Sequence, residues 1–278
     1  MTLYVSDLDG TLLNSNQRLS NVTTNIINKL IDDGLTFSVA TARSFDSAGN
    51  LIKPLNLKVP IIVHNGVFIY DPVKEEYIIS NYMDNSMVKD ILYICEKMEA
   101  NPIIFTRNEK LQNKVYYKGI FNYGEEHYIK GRLGSGDSRF TLVDDLSICL
   151  KENVINILVI GEHEAVAPVY EELRNKFDAS YHYTVDIYSK ANWLEVTHKA
   201  ANKREAVKQL KELLKAEKLV CFGDNLNDSP MFEIADEKYA VENAHELLKE
   251  AATSIIESNN NDGVAKFLKA VCDGSSIA

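Results

Sequence analysis

Two acid-rich segments of this chain each follow a short apolar run. Residues 7–11 (DLDGT) come after the run at 3–5 (LYV), and residues 223–228 (GDNLND) come after the run at 220–222 (VCF). Each apolar run predicts a buried strand that ends where the acidic residues begin. Ligands of an open parallel sheet bind beyond the carboxyl ends of its strands. We therefore expect the two segments to meet at one end of a sheet.

The carboxylates of Asp7, Asp9 and Asp224 would repel one another at such a place. A divalent cation relieves this repulsion, and oxygen ligands suit Mg²⁺. Asp7 and Asp9 project to the same side of an extended chain, so one could act as a nucleophile while the other donates and accepts protons. A single aspartate in a turn more often forms an Asx-turn or caps a helix. The occurrence of both segments, each after a predicted strand, favours chemistry over capping.

Predicted strands and helices alternate after residues 7–11. Apolar residues recur at helical spacing over residues 20–33, with Ser20 as the N-cap and Gly34 as the stop. The other predicted elements of this part are a helix at 44–55, strands at 36–40 and 61–63, and a hairpin made of 67–70 and 77–80. Strands joined by helices indicate a parallel sheet.

The middle of the chain has a different pattern, and the last part returns to the first one. The middle predicts helices at 87–98 and 164–177 with strands at 103–106, 114–117, 155–160 and 181–185. The last part predicts strands at 193–196, 219–222, 239–241 and 254–257 with helices at 202–214, 244–251 and 263–271. The sequence therefore predicts an α/β fold with a parallel sheet core, into which a compact α+β unit is inserted.

Composition limits the class of protein and of partner. The chain has 278 residues, of which 45% are hydrophobic and 25% charged, as in ordinary soluble proteins. Its formal net charge of -10 argues against nucleic acid or an anionic membrane as the main partner. The scattered cysteines match neither a zinc site nor a disulfide framework, and no secretory signal or membrane helix is indicated. We expect a cytoplasmic protein with a small-molecule partner, whose oligomeric state the sequence leaves open.

The acid-rich segments resemble two motifs of the haloacid dehalogenase superfamily, specifically of its Cof-type hydrolases, and the resemblance extends over nearly the whole chain. It implies that Asp7 is the nucleophile and a metal ligand. It implies that Asp9 is the general acid/base and binds the metal through its carbonyl. In the second segment, Asp224 would hold Mg²⁺, Asn227 would contact the phosphoryl group, and Asp228 would support the metal site without binding the ion.

A further motif of the family, usually TGR, is TAR at residues 41–43 of this chain. The resemblance implies that Thr41 and Arg43 form part of the phosphate-binding site, with the Thr41 hydroxyl on the phosphoryl group and Arg43 nearby. Ala42 replaces the usual glycine. This replacement affects the local path of the backbone but removes no catalytic group.

The remaining motif is a lysine at the start of a late helix. Lys203 fits this position better than Lys199, because Lys203 stands where the predicted helix begins. The resemblance implies that Lys203 pairs with the phosphate and with Asp7. Arg204 replaces the glycine that often follows this lysine, and it adds bulk and charge to the helix start.

The resemblance also implies domain boundaries and an activity. It predicts a Rossmann-like core formed by residues 1–82 and 189–278, with a large α+β cap (type 2, subclass B) formed by residues 83–188. The implied activity is that of a Mg²⁺-dependent phosphatase, which hydrolyses sugar phosphates or phosphorylated cofactors through an aspartyl-phosphate intermediate. A sugar-phosphate mutase or phosphotransferase with the same motifs is the alternative, and a binding protein with an inactive site is a third hypothesis.

A glycine-rich stretch at residues 131–136 stands out within the predicted cap. Together with Arg132 and Arg139 it could form a substrate loop. A flexible hairpin connection is the more common role of such a stretch, and we expect that role here.

Overall fold

The computed structural model describes residues 1–186 and 189–274. The chain forms two compact units, one from Met1–Ser80 together with Ala201–Ala278, and the other from Asn81–Ala200. The first unit is therefore made of two separate stretches of chain, and the second is a continuous insertion between them. The predicted fold class, an α/β unit that carries an α+β insertion, is confirmed.

The secondary structure elements follow one another closely along the chain. The described strands are β1 (Thr2–Ser6), β2 (Thr36–Val39), β3 (Ile61–Val63), β4 (Phe68–Asp71), β5 (Glu76–Ser80), β6 (Ile103–Arg107), β7 (Asn113–Tyr117), β8 (Phe140–Leu142), β9 (Asn153–Gly161), β10 (Ala179–Val185), β11 (Asn192–His198), β12 (Lys218–Gly223), β13 (Glu237–Val241) and β14 (Ser254–Ile256). The described α-helices are α1 (Asn21–Asp32), α2 (Phe45–Ile52), α3 (Asn85–Lys97), α4 (Tyr123–Gly134), α5 (His163–Lys176), α6 (Lys203–Leu213), α7 (Ser229–Ile234), α8 (Glu246–Ala251) and α9 (Gly263–Cys272). A bilayer-spanning helix, which would have to be both long and apolar, is not found among the described residues.

A parallel sheet forms the centre of the first unit, and its described strands have the order β14-β13-β12-β1-β2. In the register of β1 and β12, Val5 lies beside Cys221 and Ser6 beside Phe222. Residues 219–222 are each at most 2% exposed. A strand covered on both faces has a continuous apolar sequence, as this one does. The prediction that the two acid-rich segments leave neighbouring strands at one end of a sheet is confirmed.

Helix α1 has the predicted ends. The Oγ of Ser20 accepts a hydrogen bond of 2.9 Å from the N–H of Thr23, as an N-cap does. The N–H of Gly34 donates to the carbonyl of Ile31 just after the helix. Ile27 is fully buried and Ile31 nearly so, and both belong to the apolar face of the helix.

A small antiparallel sheet made of β3, β4 and β5 completes the first stretch of this unit. The predicted hairpin is confirmed, because β4 pairs with β5. The prediction that residues 61–63 are a strand of the parallel sheet is only partly correct. Ile62 forms an isolated parallel bridge with Ala40, whereas all of β3 pairs antiparallel with β4. The chain reverses direction directly after β3, so β4 becomes its nearest neighbour.

The described strands of the second unit form one sheet with the order β10-β11-β9-β6-β7-β8. Ile157 and Val159 of β9 face the buried cluster that includes α3 and α5. Leu158 and Ile160 face the other side, where Ile129 of α4 packs on them. This alternation along β9 follows from the two-residue period of a strand and gives the unit a core on each face of the sheet.

The insertion extends further along the chain than the predicted cap. The predicted strand at 193–196 belongs to β11, which pairs antiparallel with β9 and with β10. It is therefore a strand of the insertion and not of the parallel sheet. Its apolar pattern predicts a strand but does not identify the neighbour with which that strand pairs. The predicted cap end at residue 188 falls on residues 187–188, which lie outside the described residues.

Most of the glycine-rich stretch is helical. Residues 131–134 are the last turn of α4, so the prediction of a hairpin connection is wrong for them. Glycine lowers the stability of a helix by about 1 kcal/mol relative to alanine. Here the Asn122 N-cap accepts a hydrogen bond from the N–H of Glu125 at 2.9 Å, and the fully buried Ile129 anchors the helix to the sheet. These tertiary and capping contacts outweigh the low helix propensity.

Candidate active site

Asp7 lies directly after β1, at the carboxyl end of the strand. Its N–H donates a hydrogen bond of 3.0 Å to the carbonyl of Phe222, which continues the pairing of β1 with β12. The residue is only 5% exposed. The sheet therefore holds a nearly buried carboxylate in a fixed position.

A buried lysine faces this carboxylate. Lys203 is the first residue of α6, and Asn202 is the N-cap of that helix. The Nζ of Lys203 donates to Oδ1 of Asp7 and to Oδ1 of Asp228, at 2.6 Å in both cases. The side chain of Lys203 is 1% exposed. Lys199, the competing candidate from the sequence, lies in the other compact unit.

A tight turn after β12 holds Asp224 and Asp228. The Oδ2 of Asp228 accepts hydrogen bonds from the N–H groups of Asp224 and Asn225, at 2.9 and 3.1 Å. Since its Oδ1 accepts from Lys203, both carboxylate oxygens of the buried Asp228 are engaged. Asn227 precedes it on the same turn and is half-buried. Asp228 thus organises the turn and orients the lysine.

Gly10 allows the two acid-rich segments to approach each other. Its φ is +77°, and a Cβ at this position would lie 2.4 Å from Oδ2 of Asp224. The next residue, Thr11, donates from Oγ1 to Oδ1 of Asp224 at 2.9 Å. A side chain at position 10 would push Asp224 away, so the motif requires glycine here for a steric reason. The sequence motif included Thr11, but its contact with Asp224 was not predicted.

Carboxylate oxygens of Asp7, Asp224 and Asp228 lie within 4.8 Å of one another. Three carboxylates around the single ammonium group of Lys203 leave an excess of negative charge. Hard oxygen donors in this arrangement fit Mg²⁺ better than a soft metal that prefers sulfur or imidazole. The donor set of the cluster is therefore suited to a hard divalent cation.

Burial and mutual repulsion shift the ionisation of this cluster. Burial raises the pKa of Asp7 well above its usual value, and the charges of Asp228 and Asp224 add to this, while Lys203 opposes it. Burial also raises the pKa of Asp224, to about 6, with a further contribution from Asp228. Burial would lower the pKa of Lys203, but the charges of Asp228 and Asp7 outweigh that effect and raise it. The lysine is therefore a permanent cation, whereas the carboxylates need positive charge nearby.

Thr41 and Arg43 follow β2. Thr41 is buried, and its Oγ1 accepts a hydrogen bond of 3.1 Å from the N–H of Arg43. The guanidinium of Arg43 donates from Nε and Nη2 to the two carboxylate oxygens of Asp9, at 2.6 Å each. It also donates to Gln17 and to Ser47, at 3.0 and 3.2 Å. The Arg43 side chain thus binds Asp9, a contact that the sequence did not predict. Its hydrogen bonds to Gln17 and Ser47 were not predicted either.

The two departures from the family motifs are accommodated locally. Ala42 does not have a positive φ, so the position that is usually glycine requires no unusual backbone here. Arg204 extends from the start of α6 and donates to Glu233 of α7 at 2.6 Å. Both substitutions leave the contacts of Lys203 and Arg43 intact.

The arginines of the insertion contact residues of that unit. Arg132 lies over the ring of Tyr128, with 5.3 Å between its Cζ and the ring centroid. Arg139 pairs with Asp137 at 2.6 Å, which lowers the pKa of that carboxyl group. A role of either arginine in substrate binding stays a prediction.

Known proteins resemble this chain over almost its full length. The family model of haloacid dehalogenase-like hydrolases matches residues 4–268. The 5-amino-6-(5-phospho-D-ribitylamino)uracil phosphatase YitU of Bacillus subtilis is 28% identical over 276 residues, covering 96% of each chain. Phosphatase YwpJ of the same organism is 27% identical, covering 97% of this chain and 99% of its own. The crystal structure of TM0651 from Thermotoga maritima superposes on this chain with a TM-score of 0.76. The two sequences are 28% identical, and the match covers 96% of each chain.

Proposed function

The chain belongs to the haloacid dehalogenase-like hydrolases, and from this premise we propose that it is a Mg²⁺-dependent phosphatase of small phosphorylated metabolites, which acts through an aspartyl-phosphate on Asp7. Its relatives named as phosphatases support the reaction class. The observation that carries the proposal is the buried contact of Lys203 with Asp7 at 2.6 Å, beside the acidic cluster. A nucleophile of this kind needs a cation and a second acid close to it.

In the first step, Asp7 attacks phosphorus. Lys203 engages Oδ1, so Oδ2 is the oxygen that forms the new bond. The ester bond between phosphorus and the leaving oxygen breaks, and that oxygen takes a proton from Asp9. Lys203 and Thr41, with Asn227, stabilise the phosphoryl oxygens as charge develops on them.

In the second step, water regenerates the enzyme. Asp9 accepts a proton from a water molecule, whose oxygen attacks phosphorus. The bond between Asp7 and phosphorus breaks, and inorganic phosphate leaves. Two neighbouring aspartates are needed because one is occupied as the acyl phosphate while the other moves protons.

Asp7 and Asp224, with the carbonyl of Asp9, are the groups that would hold Mg²⁺. When bound, the ion supplies the positive charge that the acidic cluster lacks and that a phosphoryl group requires. Asp228 keeps the turn and Lys203 in place, as its engaged oxygens suggest.

The substrate we propose is a small phosphomonoester such as a sugar phosphate or a phosphorylated cofactor. YitU is named for a phosphate ester on a ribityl chain, which supports this class. We propose the insertion, Asn81–Ala200, as the cap that selects the leaving group. The net charge of -10 argues against nucleic acid or an anionic membrane as the main partner. A cation and basic side chains can still make a local positive site for a small anionic substrate, and we propose that the protein is cytoplasmic.

Phosphate release from p-nitrophenyl phosphate and from a panel of phosphorylated metabolites tests the proposal. The assay compares wild type with Asp7→Asn, each with Mg²⁺ and with EDTA. Asp90→Asn is the matched control, because Asp90 is exposed on α3. We expect metal-dependent turnover in wild type and in the control, and none in Asp7→Asn. Absence of phosphate release by wild type from every ester would refute hydrolysis, and isomerisation of a sugar phosphate without release would identify a mutase.

A further inference from the structure

Gln17, Arg43 and Ser47 form a hydrogen-bonded bridge between the segment after β1 and the start of α2. Nη2 of Arg43 donates to Oε1 of Gln17 at 3.0 Å, and Nη1 donates to Oγ of Ser47 at 3.2 Å. The same guanidinium engages both oxygens of Asp9 at 2.6 Å. Arg43 is therefore fixed from two sides while it fixes Asp9.

An ordered turn presents the Gln17 side chain. The N–H of Gln17 donates to the carbonyl of Asn14 at 2.8 Å, and the N–H of Asn14 donates to the carbonyl of Arg18 at 3.0 Å. Gln17 has a φ of 55°, in the left-handed region that residues other than glycine seldom adopt. The turn thus holds this glutamine in an uncommon conformation, and its side chain reaches Arg43.

Arg43 has little capacity left for a phosphoryl group. A guanidinium has five N–H donors. In the described structure four of them are directed at the oxygens of Asp9, Gln17 and Ser47. A single remaining N–H cannot form the two parallel hydrogen bonds with which arginine usually binds phosphate.

We propose that Gln17 and Arg43 are positioning residues for Asp9, and that Arg43 acts through this carboxylate instead of binding the phosphoryl group. The inference rests on the proposed function, in which Asp9 gives a proton to the leaving oxygen. A bidentate pair fixes the plane of a carboxylate, and proton transfer requires hydrogen-bond geometry. The side chains of Arg43 and Asp9 are 21% and 45% exposed, and ion pairs in such positions add little to stability. Orientation is therefore the role of this pair: one contact opens while an oxygen of Asp9 carries the proton, and it closes again once that proton has passed to the leaving oxygen.

Two substrates with different leaving groups separate positioning from phosphate binding. Nitrophenolate leaves without a proton, whereas the alkoxide of ribose 5-phosphate needs one from Asp9. The ratio of kcat/KM for the two esters therefore measures proton donation in the first step. The inhibition constant of inorganic phosphate measures phosphoryl binding. The variants are Arg43→Lys, Gln17→Asn and Gln17→Glu, with Arg18→Ala as the control at an exposed neighbouring arginine.

We expect Arg43→Lys to lower kcat/KM for ribose 5-phosphate by about 10²-fold, as loss of general acid catalysis does, and to lower it far less for p-nitrophenyl phosphate. Gln17→Asn keeps an amide that tolerates positive φ but is too short to reach Arg43. It should lower the alkyl rate by roughly threefold to tenfold, the value of one hydrogen bond. Gln17→Glu keeps the acceptor oxygen and should retain the wild-type ratio, as should Arg18→Ala. The inhibition constant of phosphate should stay unchanged in all variants.

Equal losses for both esters in Arg43→Lys, with a matching rise in the inhibition constant of phosphate, would show that Arg43 binds phosphate and would overturn the inference. Unchanged kinetics in both Arg43→Lys and Gln17→Asn would overturn it as well. Failure of the proposed function gives a different result, because wild type would then release phosphate from neither ester.

Discussion

Lys203 and the carboxylates of Asp7 and Asp228 form a charged cluster that is almost closed to water. The three side chains are 1%, 7% and 0% exposed. Charges in such a place are costly unless each has a partner, and loss of one partner leaves the others uncompensated. The same residues that would carry out the chemistry therefore also determine stability, and substitutions should separate the two effects.

Lys203→Met should abolish turnover and also destabilise the protein. It leaves the buried Asp7 and Asp228 without their cation, and breaking a buried pair in this way costs about 3–5 kcal/mol. Lys211→Met is the control, since Lys211 pairs with Asp236 at 3.2 Å in a more exposed place, and such pairs are worth about 1 kcal/mol or less. Urea denaturation measures both variants. Equal losses of unfolding free energy would contradict the assignment of Lys203 as a buried counter-charge.

Asp7→Asn should abolish turnover without lowering the stability of the metal-free protein. Burial raises the pKa of Asp7, so the folded state favours the protonated form and the ionised carboxylate weakens the fold at neutral pH. Asparagine removes that charge, and Lys203 keeps its contact with Asp228. Thermal unfolding in EDTA at pH 7.5 should give a midpoint equal to or above that of wild type. A clearly lower midpoint would mean that the ion pair with Lys203 outweighs the effect of burial.

At the scale of elements, α6 carries Lys203 into the cluster and is held at its first turn. The Oδ1 of Asn202 caps the helix by accepting the N–H of Glu205 at 2.9 Å. Gly66, with a φ of +102°, allows close approach, since a Cβ there would lie 2.5 Å from the carbonyl oxygen of Asn202. The helix start is thus positioned by contacts that are not themselves part of the chemistry.

Asn202→Ala should lower activity more than its effect on stability would explain. Loss of an N-cap costs about 1 kcal/mol, and here it also loosens the residue next to Lys203. Ser20→Ala is the control, because Ser20 caps α1 in the same unit with a similar hydrogen bond of 2.9 Å. Both variants should unfold at lower urea concentration, and only Asn202→Ala should lose kcat. If kcat falls equally in both, the cap of α6 has no specific role in positioning the lysine.

The sequence predicts the elements around the motifs better than it predicts their partners. Strands β1 and β12 were expected to be neighbours because ligands of an open parallel sheet bind beyond the carboxyl ends of its strands, where the two acid-rich segments would meet. The place of β11 in the insertion could not be inferred, since the apolar pattern of a strand does not indicate which other strands it pairs with. Helix α4 was missed because glycines at 131 and 134 suggest a loop, while its stability comes from the Asn122 cap and the burial of Ile129.

The candidate site was predictable where sequence spacing fixes geometry. The family resemblance implied that Lys203 pairs with Asp7, and these two side chains are in contact. Asp224 lies in the same acidic cluster as Asp7, whereas the contact of Asp228 with Lys203 was not predicted. The contact of Arg43 with Gln17 was not predictable, because it depends on a turn whose glutamine has a left-handed φ. Glycine or asparagine usually marks a turn position with a left-handed φ, and here the position is occupied by a glutamine.

At the scale of the whole molecule, the proposed divalent cation would compete with protons for the same carboxylates. The folded-state pKa of Asp224 is raised to about 6, above its value in an unfolded chain. The folded protein therefore binds more protons than the unfolded chain in the window between the two values. In the absence of metal, the contribution of this group to stability should fall as the pH rises through that window. A bound cation reverses the preference, because it needs the carboxylates ionised.

Added Mg²⁺ should consequently raise the thermal unfolding midpoint at pH 8 much more than at pH 5. At a concentration about 100-fold above its dissociation constant, a ligand that binds only the folded state adds about 2.7 kcal/mol. For a chain of this size that corresponds to a shift of about 5 °C. At pH 5 most Asp224 side chains are protonated and the shift should largely disappear. Na⁺ at matched ionic strength is the control. Asp224→Asn should lose the shift of the unfolding midpoint at both pH values. A shift of the same size at pH 5 and pH 8 in wild type would mean that the cation binds away from these carboxylates.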